Sequence, residues 1–163
     1  MGFGALSVKG RALRYLAQRE HSRAELERKL ARHVTVTEAA TAQQQITRAL
    51  DDLAATGLLS DTRAAASVLA GQGQRHGVRR LRQTLQSKGL APDLVSDTLL
   101  RARETELQRA QDVWRRRFGA PATDPKERGR QLRFMAGRGF EGDIVRRVVQ
   151  GSSEDEEPVA GPD

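Results

Sequence analysis

Arginine is the side chain best placed to do chemistry in this sequence, and it is clustered. Arg79, Arg80, Arg82 and Lys88 fall within ten residues, Arg115, Arg116 and Arg117 are consecutive, and Arg128, Arg130, Arg133 and Arg138 follow. Guanidinium groups present planar forks of N–H donors that match phosphate or carboxylate oxygens two at a time. Three consecutive arginines cannot share one helix face, because neighbours lie ~100° apart, so at least one of Arg115, Arg116 and Arg117 should reach a partner or a neighbouring part of the chain. These eleven residues are read as a basic groove for nucleic acid or an acidic protein surface. The competing reading is ordinary solvated helix faces with local Glu or Asp partners.

No other group of residues points to catalysis. Gly71-Gln-Gly73-Gln-Arg75-His76-Gly77 precedes a helix, and backbone amides there could cradle a phosphate. It lacks the Gly-Lys-Ser/Thr ending of a nucleotide loop, and no strand precedes it, so it reads as a flexible connector. His21, His33 and His76 are scattered without metal-ligand spacing and suit surface or capping roles. Asp51 and Asp52 are adjacent and diverge on a helix, which makes no acid–base pair. Trp114 could stack on a base, but it shares a stripe with Leu107, Ala110 and Phe118 and is assigned to the core, as is the ring of Tyr15. No catalytic residue, metal site or cofactor is expected.

The elements that must carry these side chains are helices. Leu85-Gln-Ser-Lys88-Gly89-Leu90-x-x-Asp93-Leu94-Val95-x-x-x-Leu99 returns fifty residues later as Met135-Ala-Gly-Arg138-Gly139-Phe140-x-x-Asp143-Ile144-Val145-x-x-x-Val149. A looser copy places Leu26 and Leu30 on one helix and Ile46 and Leu50 on the next. Tandem helical units bury their core by stacking and present surfaces rather than pockets. The periodicity predicts nine helices: about Val8–Arg19; one opened by the capping box Ser22-Arg-Ala-Glu25; one after a polar loop from His33 to Thr41, with Thr41-Ala-Gln-Gln44 as a second capping box and Gly57 as its stop; one opened by Ser60-Asp61 and ended by Gly71-Gln-Gly73; His76–Ser87, closed by Gly89; one from Pro92; about Glu104–Phe118, with no clear break before it; one capped by Asp124-Pro125; and a last stripe of Ile144, Val145, Val148 and Val149. The expected architecture is all-α: an elongated array of three tandem three-helix repeats at residues 1–58, 59–103 and 104–150, followed by a disordered acidic tail, 151–163.

Composition agrees with a binding role. The chain is 37% hydrophobic and 4% aromatic and contains no cysteine. No apolar run approaches the ~20 residues of a membrane span, and the N-terminus lacks the apolar segment of a secretion signal, so a cytoplasmic location is expected. Net charge is +7, but the tail holds five acidic residues and no basic one, so residues 1–150 carry +12. Such a field attracts polyanions. The tail either shields the basic body or merely solubilises it, and the sequence favours neither.

The opening Ala12-Leu-Arg-Tyr15-Leu16-Ala-x-Arg19-x-x-Ser22-x-x-Glu25-Leu26-x-x-Lys29-Leu30, then Gly57-Leu58-Leu59-Ser60-Asp61 with Ala64, then Gly77-Val-Arg79-x-Leu81-x-x-x-Leu85-x-x-Lys88-Gly89-Leu90, together resemble the RecX family, bacterial regulators of the RecA recombinase. The resemblance covers about residues 8–150 and lies in the ordered set rather than in one signature. It implies an all-α protein of three three-helix repeats that binds the RecA–single-stranded DNA filament, suppresses its ATPase and strand exchange, and is not an enzyme. Many members also bind DNA directly, so the resemblance implies binding to single-stranded DNA, with double-stranded DNA as a further candidate. Ser60-Asp61 departs from the two acidic residues of many relatives, and the acidic tail has no counterpart in the family pattern. The alternative is a nucleic-acid-binding protein that acts without RecA. A monomer is expected, because the apolar stripes are narrow and leave no broad face for a dimer.

Overall fold

The structure is a computed structural model and describes residues 6–33 and 39–151, with the side chains of Ala39 and Ala40 left undescribed. Among the described residues there are nine helices and no strand: α1 (Val8–Leu16), α2 (Arg23–Ala31), α3 (Ala39–Ala55), α4 (Asp61–Gln72), α5 (Val78–Ser87), α6 (Pro92–Glu104), α7 (Glu106–Arg117), α8 (Pro125–Gly137) and α9 (Gly142–Gly151). None is long and apolar enough to cross a membrane. The acidic residues of the tail lie outside the described residues. Two compact units are present. The described residues of the first lie within 1–68 and 85–95 and those of the second within 69–84 and 96–163, so α4, α5 and α6 are each divided between them.

In the first unit, Ala12, Leu26, Leu30, Ile46, Leu50, Leu53 and Leu59 form the core, with Val8, Tyr15 and Leu16 against it. In the second, Ala110, Trp114, Met135, Phe140, Val145, Val148 and Val149 do the same, with Leu107, Phe118, Phe134 and Ile144 packed around them. The internal repeat is matched residue by residue. Leu85 and Met135, Leu90 and Phe140, Val95 and Val145, and Leu99 and Val149 are all buried, while Leu94 and Ile144 are both half-buried. Gly89 and Gly139 both take the left-handed conformation, with φ of 67° and 83°, which only glycine adopts without strain.

Each of these two turns seats on the start of an earlier helix. The Lys88 carbonyl accepts a hydrogen bond from the Ser22 hydroxyl, at the N-cap of α2. The Arg138 carbonyl accepts from the backbone N–H of Gly77, just before α5, at 3.0 Å, and the Gly139 carbonyl accepts from Arg79 at 3.0 Å. An acidic side chain from a further helix completes each contact. Asp61 accepts from the N–H of Arg23, the first residue of α2, at 2.8 Å. Glu106 accepts from the N–H of Val78, the first residue of α5, at 3.0 Å. Helix starts leave N–H groups without intrahelical partners, and here those donors serve as sockets for tertiary contacts.

Several boundaries differ from the sequence-based expectation. The capping box Ser22–Glu25 forms in both directions, with N–H groups donating to Ser22 Oγ (3.1 Å) and to the Glu25 carboxylate (2.9 Å). The second box does not form: α3 already runs from Ala39, so Thr41 lies inside it. Residues 34–38 of the expected polar loop lie outside the described residues. α1 ends at Leu16 and leaves through a turn in which the Gln18 N–H donates to the Tyr15 carbonyl at 3.1 Å; Arg19 lies beyond it and pairs with Glu25. α5 starts at Val78; the Gly77 N–H donates to the Arg138 carbonyl, and the Gly77 carbonyl accepts from Leu81 at 3.1 Å. Thr105 breaks α6 from α7. His21 is not a surface residue. It is 1% exposed, its Nδ1–H donates to the Arg19 carbonyl at 3.0 Å, and its ring tilts against Tyr15. Burial lowers its pKa, which keeps it neutral. Asp51 and Asp52 diverge as expected, to Arg23 (2.8 Å) and Lys9 (3.5 Å).

Two measurements check these contacts. A Cβ on Gly77 would collide with the backbone of Phe140, whereas one on Gly71 meets nothing. Gly77→Ala should therefore lower stability by about 1–3 kcal/mol, as overpacking does, while Gly71→Ala should leave thermal unfolding unchanged or slightly raised. Equal effects would dissolve the seating contact. Glu25 supplies the second test. Burial raises its pKa, but hydrogen bonds from Arg19, the Ser22 N–H and Lys88 outweigh that and hold it at about 2. The unfolded chain binds this proton near the ordinary value of 4.5, so the stabilisation is complete above about pH 5 and is lost as pH falls toward 2. Glu25→Gln should melt lower than wild type at pH 7 and converge with it by about pH 2; a constant gap would refute the assignment.

Candidate nucleic-acid interface

One buried carboxylate organises the second unit. Glu106 is 2% exposed. Its Oε1 accepts from the N–H of Val78 at 3.0 Å and of Glu141 at 3.2 Å, so a single oxygen ties the starts of α5 and α9 to the first residue of α7. One turn along α7, Arg109 donates to the carbonyls of Gly73, His76 and Ala102. Burial lowers the pKa of Arg109, and the charge of Glu106 opposes that shift. The glycine-rich segment between α4 and α5 is thus tied down by a guanidinium. Trp114 is buried, and its indole N–H donates to Gln131 at 2.9 Å, which places it in the core as expected. Among the described residues, no three His, Asp or Glu side chains come together to hold a metal ion.

Over this frame lies an open groove of about 230 Å³, lined by Gln74 and Arg75, by Val113, Arg116 and Arg117 of α7, and by Phe134 and Arg138 at the end of α8. Phe118 and Phe134 meet edge to face, with centroids 5.3 Å apart. The Arg117 guanidinium lies 5.7 Å from both rings, and that of Arg138 lies 5.1 Å from Phe134. A guanidinium resting on an aromatic face is held by the ring quadrupole and keeps its N–H edge for an anion. Among the described residues, none of Arg75, Arg116, Arg117 and Arg138 is ion-paired with a carboxylate; Arg116 makes only a 3.2 Å bond to the Asp112 carbonyl. Burial lowers the pKa of His76, and the charges of Arg138, Arg80 and Arg75 push it the same way.

The eleven basic residues singled out from the sequence do not all share this place. Arg116, Arg117 and Arg138 line the groove. Arg79, Arg80 and Arg82 are exposed on α5, and Arg128 and Arg133 on α8. Arg115 pairs with Asp112 at 3.6 Å and Arg130 with Glu127 at 3.3 Å, so these two have local partners. Lys88 belongs to the first unit and is joined to Glu25 at 2.9 Å. Three arginines in a row thus take three surroundings: a carboxylate, a backbone carbonyl and a pair of rings. Sequence reasoning missed Arg75, whose only signal was its place in the glycine-rich segment. It also missed Glu106 and Arg109, which read as one more charged pair on a polar helix.

Comparison with known proteins gives a consistent result. A family model described as the third three-helix domain of RecX matches residues 104–149, and one for the first three-helix domain matches residues 9–42. The regulatory protein RecX of Leptothrix cholodnii is 52% identical over 145 residues, 89% of this chain and 88% of that protein. That of Ralstonia nicotianae is 42% identical over 158 residues, covering 94% and 96%. Among solved structures, RecX from Lactobacillus salivarius superimposes with a TM-score of 0.71 at 18% identity, over 90% of this chain and 95% of that one, which shows the shared fold.

The Glu106 assignment predicts a graded response. Glu106→Ala strips the partner from two helix-start N–H groups and the counter-charge from Arg109, and should cost about 3 kcal/mol in denaturant unfolding. Glu106→Gln keeps an acceptor oxygen and should cost less. If the two variants unfold at the same denaturant concentration as wild type, the carboxylate is not the tie described.

Proposed function

We infer the function from one premise: the chain belongs to the RecX family. Its relatives are named regulatory proteins, and the family resemblance of the sequence connects that regulation with the RecA recombinase. We propose that the chain is a non-enzymatic modulator of RecA, chiefly an inhibitor, acting in homologous recombination and the SOS response. It would bind the groove of the RecA–single-stranded DNA filament and suppress ATP hydrolysis and strand exchange. The observation that carries this reading is the groove of Arg75, Arg116, Arg117 and Arg138, which is without ion-paired carboxylates among the described residues and backed by aromatic rings. Contacts spread over segments 1–58, 59–103 and 104–150 would each be weak, and their simultaneous engagement supplies avidity without a deep pocket. Occupation of the filament groove would hinder entry of duplex DNA and resist the subunit motions of ATP turnover. A cytoplasmic monomer that needs no cofactor fits the proposal.

A second reading has its own support. Guanidinium groups laid on phenylalanine rings form a surface that also suits nucleic acid alone, through phosphate contacts and base stacking. The chain would then bind DNA and compete with RecA for it.

The steady-state ATPase of the cognate RecA on single-stranded DNA, titrated with this protein, separates the two. A filament modulator inhibits at well below one molecule per RecA, and added single-stranded DNA does not relieve it. A DNA competitor needs enough protein to coat the strand, and excess DNA abolishes its effect. Replacing Arg116, Arg117 and Arg138 by alanine should weaken inhibition in the first case. In the second it should lower the salt dependence of DNA binding by about 0.7 per lost phosphate contact. Unchanged behaviour of this variant would remove the groove from either mechanism.

A further inference from the structure

The groove poses an electrostatic problem. Arg75, Arg116, Arg117 and Arg138 share one rim with no carboxylate paired to them among the described residues. Like charges so close repel one another in the folded protein. Beyond the end of α9 at Gly151, the sequence supplies a run of four acidic residues, Glu154, Asp155, Glu156 and Glu157, with no basic residue among or after them.

We propose that residues 154–157 occupy the arginine groove as an intramolecular counter-ion, and that an incoming polyanion must displace them. The proposal rests on reading the groove as a polyanion site, and it adds a regulator carried by the same chain. The reach suffices. α9 starts at Gly142, four residues after Arg138, and its ten residues carry the chain about 15 Å from that start. Doubling back as extended chain, Glu154 covers up to about 10 Å of that length and Glu156 and Glu157 up to about 20 Å, so the last two carboxylates return past the start of α9 toward Arg138 while Glu154 and Asp155 lie along the way. Carboxylates also match the chemistry of the site, since guanidinium forks accept them in the same bidentate geometry as phosphates. Because the segment is tethered, its local concentration at the groove is on the order of millimolar, enough for weak ionic contacts to hold it. Contacts made almost wholly of charge are screened by salt and are readily exchanged for a longer polyanion, as a displaceable occupant requires.

Two readouts test this on the full chain. The protein has no cysteine, so a spin label on Val159→Cys reports on the tail alone. At low salt it should broaden the backbone amide resonances of Arg75, Arg116 and Arg138, and the broadening should vanish when residues 154–157 are changed to Gln, Asn, Gln and Gln. Sharp amides in the unmodified tail would overturn the proposal. In the second readout, the neutralised tail should bind an oligothymidine several-fold more tightly than wild type, and this gain should disappear in an Arg116→Ala/Arg138→Ala background. An equal gain in both backgrounds would mean that net charge alone acts, and would refute docking. If no form binds the oligonucleotide while the broadening persists, the polyanion reading of the groove fails and the docked tail stands.

Discussion

The structure depends on one contact made twice: the turn after a basic residue and a glycine, seated on the N-terminus of a helix far back in the chain. Lys88 and Gly89 sit at the start of α2, and Arg138 and Gly139 at the start of α5. In both, a carbonyl just before the left-handed glycine accepts a hydrogen bond from the residue that precedes the helix. In both, an acid at the head of a later helix, Asp61 or Glu106, takes the next N–H. A helix start offers donors and a partial positive charge; a glycine turn offers carbonyls with no side chain in the way. The complementarity is local, but the partners are 61 to 66 residues apart, so each contact closes a long loop and joins apolar faces that are too small to be stable alone.

The same economy of charge separates arginines spent inside the fold from arginines left at its surface. Arg109 is buried against three carbonyls and within the field of Glu106, and Arg19 and Arg23 hold carboxylates of the first unit. Arg117 and Arg138 are oriented by aromatic rings and keep their outer N–H groups unspent. A groove of such side chains is poised for anions without reorganisation, and it sits where the tied-down segment 73–77 and the ends of α7 and α8 converge.

Much of the fold was legible in the sequence. The apolar spacing of Leu26 and Leu30, Ile46 and Leu50, and Val145 and Val149 marks faces that prove buried, because a helix has one period and a mostly polar chain has few apolar residues to misplace. Asp124-Pro125 and Ser22-x-x-Glu25 mark helix starts because their chemistry is complete within four residues. Thr41 misled, since the same short pattern also occurs inside a helix. His21 misled because its burial is decided by Tyr15 and the Arg19 carbonyl, not by its neighbours in a pattern.

By itself, then, the sequence determined the helices, their stops, the repeat and the excess of positive charge, all of which follow from interactions between residues a few positions apart. The tertiary structure decided which of two dozen arginines are buried, paired or left for a partner. Arg109, Arg115 and Arg117 belong to one helix and are indistinguishable in type, yet one ties down a connector, one pairs with Asp112 and one faces the groove. Their fates depend on Gly73, Asp112 and Phe134, and two of those three partners are brought within reach only when segments distant in the chain pack together.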